Sequence, residues 1–194
     1  MHELENVDSP QVVSEILIKT KEVGFQMVSE PLVGSLLRTL ALSKPSGRFL
    51  ELGTGTGVST AWILNGMDSQ SALLTVENDP ALLAIAQDHL GQDSRVTFHQ
   101  EDGGTFMERL SQTPEQFDLI FADTWAGKYT HFEEAIQALK PGGFYIIDDM
   151  LPQPTWPEGH EVKVKTLITA LENRRELMVT KISWASGVIL AVKR

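Results

Sequence analysis

The chain has 194 residues, of which 42% are hydrophobic, enough apolar side chains for one well-buried core and too many for a disordered tail. Sixteen Lys and Arg against 26 Asp and Glu give a formal charge of −10, which weighs against nucleic acid or anionic lipid as a partner. The chain has no cysteine, so disulfides, thiolate catalysis and cysteine-based zinc sites are excluded.

The acidic start at Met1-His2-Glu3-Leu4-Glu5 lacks the apolar stretch of a secretory leader, and no run approaches the ~18 apolar residues of a membrane helix. A single domain over residues 1–194 in a cytoplasmic protein is the expectation. Residues 1–45 read as a helical segment and 46–194 as an α/β core. Ser9-Pro10 opens a helix with Val12, Val13, Ile16 and Leu17 on one face. Ser29-Glu30-Pro31 opens a second, with Leu32, Val33, Leu36, Leu37 and Leu40 at the same period.

From Gly47 onward, short apolar runs alternate with helical stretches. Strands are predicted at Arg48–Leu52, Ala72–Glu77, Arg95–His99, Asp118–Ala122 and Phe144–Ile147. Helices fall near Ser59–Leu64, Pro80–Leu90, Gly104–Leu110 and His131–Leu139. Asp79-Pro80 supplies an N-cap and first-turn proline, and Thr130-x-x-Glu133 has capping-box spacing. Such alternation implies parallel strands joined by right-handed crossovers, hence a doubly wound α/β sheet. A helix near Val162–Leu171 precedes strands at Leu177–Ser183 and Val188–Lys193. The short Gly-containing link between those strands makes them a hairpin, so one runs antiparallel. The stiff, Pro-rich stretch Met150–His160 follows the fifth strand, on the edge where ligands bind.

The strongest local signal is Glu51-Leu52-Gly53-Thr54-Gly55-Thr56-Gly57, an apolar strand running through three alternating glycines into a helix. Glycines there allow a sharp turn and a close approach of ligand to main chain. Glu77 ends the next strand 22 residues past Gly55, near the ~20 expected of an acid that binds ribose hydroxyls. Together they predict a nucleoside-containing ligand at the sheet's switch point, with Thr54 and Asn78 beside it. The G-x-G-x-G spacing differs from the G-x-G-x-x-G that seats a pyrophosphate. Glu51 would repel a pyrophosphate but suits a cationic ligand. Asp102-Gly103 follows the third strand, where an adenine amino group needs an acceptor; the plainer reading of Asp102 is a turn residue.

At these residues the chain resembles the class I S-adenosylmethionine-dependent methyltransferases. Glu51–Gly57 is similar to that family's first motif, Glu77 to its ribose acid, Asp102 to its adenine contact, and Leu139-Lys140-Pro141-Gly142-Gly143 to the lead into its fifth strand. The resemblance implies a seven-stranded, mostly parallel sheet with an antiparallel C-terminal strand, and S-adenosyl-L-methionine as cofactor. Within that superfamily the chain looks most like small-molecule O-methyltransferases of the catechol and caffeoyl-CoA type. Met27-Val28-Ser29-Glu30 resembles the segment covering the cofactor, and Ser59 stands where family members hold its carboxylate. Phe117–Tyr129 resembles the fourth-strand motif with Asp123, and Ile147-Asp148-Asp149 the fifth-strand metal pair.

Asp123, Asp148 and Asp149 would lie at neighbouring strand ends, where converging carboxylates need a cation or a proton between them. Oxygen ligands of this kind suit Mg²⁺ or Ca²⁺, which would chelate adjacent hydroxyls of a small acceptor; solvated strand-end acids are the alternative. The chain also departs from the family. Ala126 stands where members carry a supposed general-base lysine, and Asp149 replaces the usual Asn. Lys128, the nearest lysine, is a candidate base or merely a surface charge. His160 is a candidate base on the Pro-rich loop or a solvated histidine. Trp125, with Thr124, is an adenine wall or simple packing. Trp156 reads as a substrate wall or a dimer contact, and His89 and His131 as exposed helix residues. The function implied is O-methylation of a small hydroxylated acceptor by a possible homodimer. A nicotinamide-dependent oxidoreductase and a cofactor-binding protein with decayed catalysis are the alternatives.

Overall fold

The computed structural model describes residues 7–153 and 156–194. The reading of the N-terminal stretch as leaderless falls mostly on residues 1–6, and Pro154 and Thr155 of the Pro-rich loop also lie outside the described residues.

Two helices, α1 (Gln11–Glu22) and α2 (Pro31–Leu42), precede the alternating core. The core then runs β1 (Arg48–Leu52), α3 (Val58–Gly66), β2 (Ala72–Glu77), α4 (Pro80–Leu90), β3 (Val96–Gln100), α5 (Gly103–Leu110), β4 (Phe117–Ala122), α6 (Phe132–Ala138) and β5 (Leu139–Ile147). Helix α7 (His160–Glu172) leads into the hairpin β6 (Leu177–Ile182) and β7 (Val188–Lys193). The sheet has seven strands in the order β3-β2-β1-β4-β5-β7-β6, with β7 antiparallel to both β5 and β6. The chain winds outward from β1 to β3 and then returns to start again at β4. The strand order therefore reverses between β1 and β4, which opens a crevice at the carboxyl ends of those strands.

Strand β1 shows why both faces are covered. Phe49, Leu50, Glu51 and Leu52 are all buried, and side chains alternate across a strand. Leu50 and Leu52 join the core under α5, α6 and α7, with Phe106, Met107 and Leu167. Phe49 joins the opposite core under the remaining helices, with Val33, Leu37 and Trp62. Helix α2 docks on α3 through Gly34, where an added Cβ would come within 2.4 Å of the fully buried Trp62 indole. Gly34→Ala is therefore expected to lower the thermal midpoint by several degrees, since overpacking costs about 1–3 kcal/mol. A differential scanning measurement checks this, and an unchanged midpoint would show that the two helices can separate freely.

Most boundaries follow the sequence reading to within a residue or two, and three details differ. The first is at α6, where His131 occupies the N-cap in a left-handed conformation with φ 54°. The Thr130 capping box does not form, because the Trp125–Thr130 loop closes on itself. Tyr129 and Thr130 both donate main-chain N–H groups to the Trp125 carbonyl, at 2.8 and 3.0 Å. The second is that β5 starts at Leu139, paired with Phe117, and Lys140–Gly143 forms an irregularity within the strand rather than a lead into it. The third is α1, where Val13 and Ile16 are buried but Leu17 is exposed. No described helix is long and apolar enough to cross a membrane.

Candidate active site

The loop after β1 is pinned before it turns. The main-chain N–H groups of Gly53 and Thr54 both donate to the Val76 carbonyl, at 3.0 and 3.1 Å, and Asp123 N–H donates to Leu52 at 2.9 Å. Gly53 has φ 100°, and a Cβ there would lie 3.1 Å from the Asp123 carbonyl oxygen. Gly57 caps α3 with φ 93° and packs so closely on Ala86 of α4 that a Cβ would fall 2.9 Å from that side chain. Both positions require glycine, one for the turn and one for helix packing.

Beyond this loop lies a cavity of about 660 Å³ lined by Gly53–Thr56, Glu77, Asn78, Asp123, Thr124, Trp125 and, from the N-terminal segment, Val23–Phe25 and Met27–Ser29. A second lobe of about 290 Å³ shares Gly53, Glu77, Asn78, Thr124 and Trp125 with it and is walled by Asp102, Gly103 and Ala126. Glu77 thus stands where the lobes meet. Its carboxylate accepts from the N–H groups of Gly55 at 2.8 Å and of Asn78 and Asp79 at 3.0 Å each. Asp102 is the N-cap of α5, accepting from Thr105 N–H at 2.9 Å, while also facing the second lobe. The N-cap role is the turn-residue reading of Asp102.

The other sequence-selected residues divide. Met27, Gly53, Thr54, Gly55, Ser59, Glu77, Asn78, Asp123 and Trp125 line the main cavity, and Gly103 lines the second lobe. Gly57 and Glu51 line neither; Gly57 serves helix packing, and Glu51 lies beneath the loop, fully buried. Thr60 and Thr75 hydroxyls donate to Glu51 Oε2 at 2.5 and 2.6 Å, and Thr54 bonds Thr75 at 2.6 Å, while Oε1 is buried without a partner. Burial pushes the Glu51 carboxyl up to about 7, against the hydrogen bonds of Ser59, Thr60 and Thr75.

The expected metal triad does not assemble. Among the described residues no three Asp, Glu or His side chains are grouped to hold a metal ion. Asp148 is buried and does not line the cavity, its Oδ1 accepting from the Ser186 hydroxyl and from Asp149 N–H at 2.8 Å. Burial raises its pKa to about 6. Asp149 faces the cavity from a left-handed residue with φ 57°. Asp123 also faces it, with the Ser29 hydroxyl 3.3 Å from Oδ2. Its carboxyl is held well above the usual range by desolvation and by Asp148 and Asp149. The acids are near enough to oppose one another's ionisation without converging on a common point.

Lys128 and His160 correct the plainer sequence readings. Lys128 is not a surface charge: it is 5% exposed, lines the cavity and donates from Nζ to the Asp148 carbonyl at 2.6 Å. Desolvation pulls its pKa down, opposed by Asp123, Asp149 and Asp148. His160 is buried at the start of α7, with Nε2 2.9 Å from the Tyr129 hydroxyl and Nδ1 unpartnered. Trp125 and Trp156 approach the same imidazole, at centroid distances of 6.1 and 4.7 Å. His131 is half-buried with an unpartnered Nδ1, and His89 bonds the Ile85 carbonyl at 2.8 Å. Phe25, whose ring would lie 3.3 Å from a Cβ on Gly55, escaped the sequence reading, as did the roles of Tyr129 and Ser186 as partners of His160 and Asp148. A lone aromatic after a helix carries no pattern, and the Tyr129–His160 and Ser186–Asp148 pairs join residues more than 30 positions apart.

Comparison with known proteins follows the same lines. A family model described as a methyltransferase domain matches residues 50–150, just over half of the chain. A catechol O-methyltransferase of Niastella koreensis is 31% identical over 136 residues, covering 67% of this chain and 62% of that relative. A Mycolicibacterium vanbaalenii relative is 28% identical over 151 residues, covering 75% and 66%. The chain thus matches slightly less than two thirds of the length of these curated relatives. An O-methyltransferase from Bacillus cereus, solved in complex with SAH, superposes with a TM-score of 0.86 at 20% identity, covering 98% of this chain and 94% of that one. TomG from Streptomyces achromogenes, in complex with SAM, gives 0.83 at 22% identity, covering 97% and 92%. At such identities the superpositions establish the fold. The family match, falling on the stretch that builds the glycine loop, the crevice and Asp123–Asp149, places this chain in the methyltransferase-domain family, with the class I S-adenosylmethionine-dependent methyltransferase fold.

Proposed function

We propose that the protein is an S-adenosylmethionine-dependent O-methyltransferase acting on a small hydroxylated acceptor. The observation that carries this reading is the two-lobed cavity with Glu77 at its junction. Its described lining holds Glu77, Asp79, Glu101, Asp102, Asp123 and Asp149 against Lys128 as the one Lys or Arg, a balance that favours a cationic ligand. When bound, the cofactor supplies an electrophilic methyl group on a sulfonium centre. Glu77 accepts from the ribose hydroxyls, and Asp102 with Thr124 and Trp125 encloses the adenine. Ser59 and the first turn of α3 receive the carboxylate, since helix N-termini favour negative charge. The acceptor end, lined by Lys128, Tyr129, Asp149, Trp156 and His160, holds a hydroxyl in line with the methyl group, and such alignment supplies much of the rate.

Calorimetry with S-adenosylhomocysteine and with NAD⁺ tests the cofactor. Saturable binding of the first and no heat from the second are expected, and the opposite result would overturn the reading. The oxidoreductase alternative is disfavoured by the acids around the loop, which oppose a pyrophosphate. Methyl transfer to some member of a panel of hydroxylated compounds separates an enzyme from a decayed binding protein. The exposed Leu17, Ile18 and Val23 around α1 support association of two copies through that helix, and the acidic, cysteine-free composition supports a cytoplasmic placement.

A further inference from the structure

We propose that the Lys128 ammonium, and not a divalent cation, supplies the positive charge that holds the acceptor's reacting oxygen. The inference rests on the assignment of the acceptor end made above and concerns which group serves it.

Three observations carry it. The carboxylate set is incomplete, because Asp148 spends Oδ1 on the Ser186 hydroxyl and the Asp149 N–H and does not reach the cavity wall. The place is also already positively charged. Lys128 Nζ is held at 2.6 Å by the carbonyl of Asp148, one of the residues expected to ligate a metal. A dication beside it would meet a like charge in a poorly hydrated setting, where Coulomb repulsion is strong. The third is that the ammonium is under-used. Lysine has three donors, yet Lys128 makes one hydrogen bond and no ion pair within 4.0 Å among the described residues, although it is only 5% exposed. Burying a cation with so few partners is costly, and a ligand oxyanion would complete its coordination.

The lysine reaches this place from an unexpected position in the chain. The self-bonded loop Trp125–Thr130 carries it two residues past Ala126 and back against the end of β5. Its neighbours define the ligand's chemistry. The Tyr129 ring lies 5.3 Å from Nζ, and Tyr129, Trp125 and Trp156 surround His160 on the same cavity wall. A flat ring bearing a hydroxyl acidic enough to ionise beside an ammonium, a phenol or an enol, fits that wall. On binding, its proton leaves to solvent and the oxyanion takes two N–H bonds from Nζ.

The test titrates 4-nitrocatechol into the full chain with S-adenosylhomocysteine present, at a mildly acidic pH where the free compound is largely neutral. The expected result is growth of the visible nitrophenolate band on binding, the same in EDTA as with added Mg²⁺ or Ca²⁺. In Lys128→Met the band should weaken at least tenfold while S-adenosylhomocysteine still binds; a merely structural lysine would not move the probe's ionisation. A band that requires metal and vanishes in EDTA would overturn the proposal, and this arm needs only the wild-type chain. So would a band unchanged in Lys128→Met, or no band in a wild-type protein that binds S-adenosylhomocysteine. Failure of the wild type to bind S-adenosylhomocysteine, measured separately, would instead strike the cofactor assignment.

Discussion

Glu77→Ala is expected to weaken S-adenosylhomocysteine binding by roughly 30-fold or more and to lower the thermal midpoint of the free protein. The carboxylate has two duties. It accepts three main-chain N–H groups, one from the glycine loop and two from the turn into α4. It also stands at the junction of the two lobes. Hydrogen bonds to a charged group are worth about 1.5–3 kcal/mol, and alanine leaves the donors of a half-buried turn to find water. Loop disorder and lost ligand contacts would therefore appear together. Glu77→Gln separates them, because its amide oxygen can still accept from Gly55 while the charge is gone. It should retain most of the thermal midpoint and lose part of the affinity. Calorimetry paired with thermal denaturation decides, and unchanged affinity in Glu77→Ala would mean that the lobes are not read from this acid.

The second large effect concerns pH. Glu51 is fully buried and its carboxyl is raised to about 7, against 4.5 in the unfolded chain. Between those values the folded state binds more protons than the unfolded one, so stability falls as pH rises. Above about pH 7 the penalty is fully developed, on the order of 3 kcal/mol at ~1.4 kcal/mol per pH unit of difference. Asp148, raised to about 6, and Asp123 act in the same direction. The free protein should therefore be more stable near pH 5.5 than near pH 8, the reverse of a domain dominated by surface ion pairs. Glu51→Gln should raise stability at pH 8 by about 2–3 kcal/mol and flatten the profile without abolishing it. The same substitution should weaken S-adenosylmethionine, because it removes a negative charge held under the loop that receives a cationic ligand. Denaturant melts across this pH range check the first part and calorimetry the second. A stability that rises steadily with pH would show that Glu51 is ionised at little cost. The two outcomes together would identify a site that carries a destabilising charge for the sake of its ligand.

The glycine loop was legible in the sequence because its chemistry is local. A strand, three glycines and a helix follow one another, and an acid comes one strand later at a spacing set by one βα unit. The proposed acceptor end was not legible in the same way. Lys128 read as either a base or a surface charge because its burial depends on how the Trp125–Thr130 loop folds back on itself and on a hydrogen bond to a residue 20 positions away. Asp148 read as a ligand because it ends a strand, and only the β6–β7 turn, which brings Ser186 against it, shows where its carboxyl is spent. His160 read as a candidate base or a solvated histidine; the start of α7 and the Tyr129 ring bury it.

What the sequence by itself determined is the layered sheet, its central strand and the loop that turns at Gly53, since periodicity and glycine conformation act over a few residues. What the tertiary structure alone decided is which of the charged side chains behind that loop face the cavity and which are tied up beneath it. That choice is made by partners far away in the chain, through desolvation and hydrogen bonding that exist only once the layers have closed.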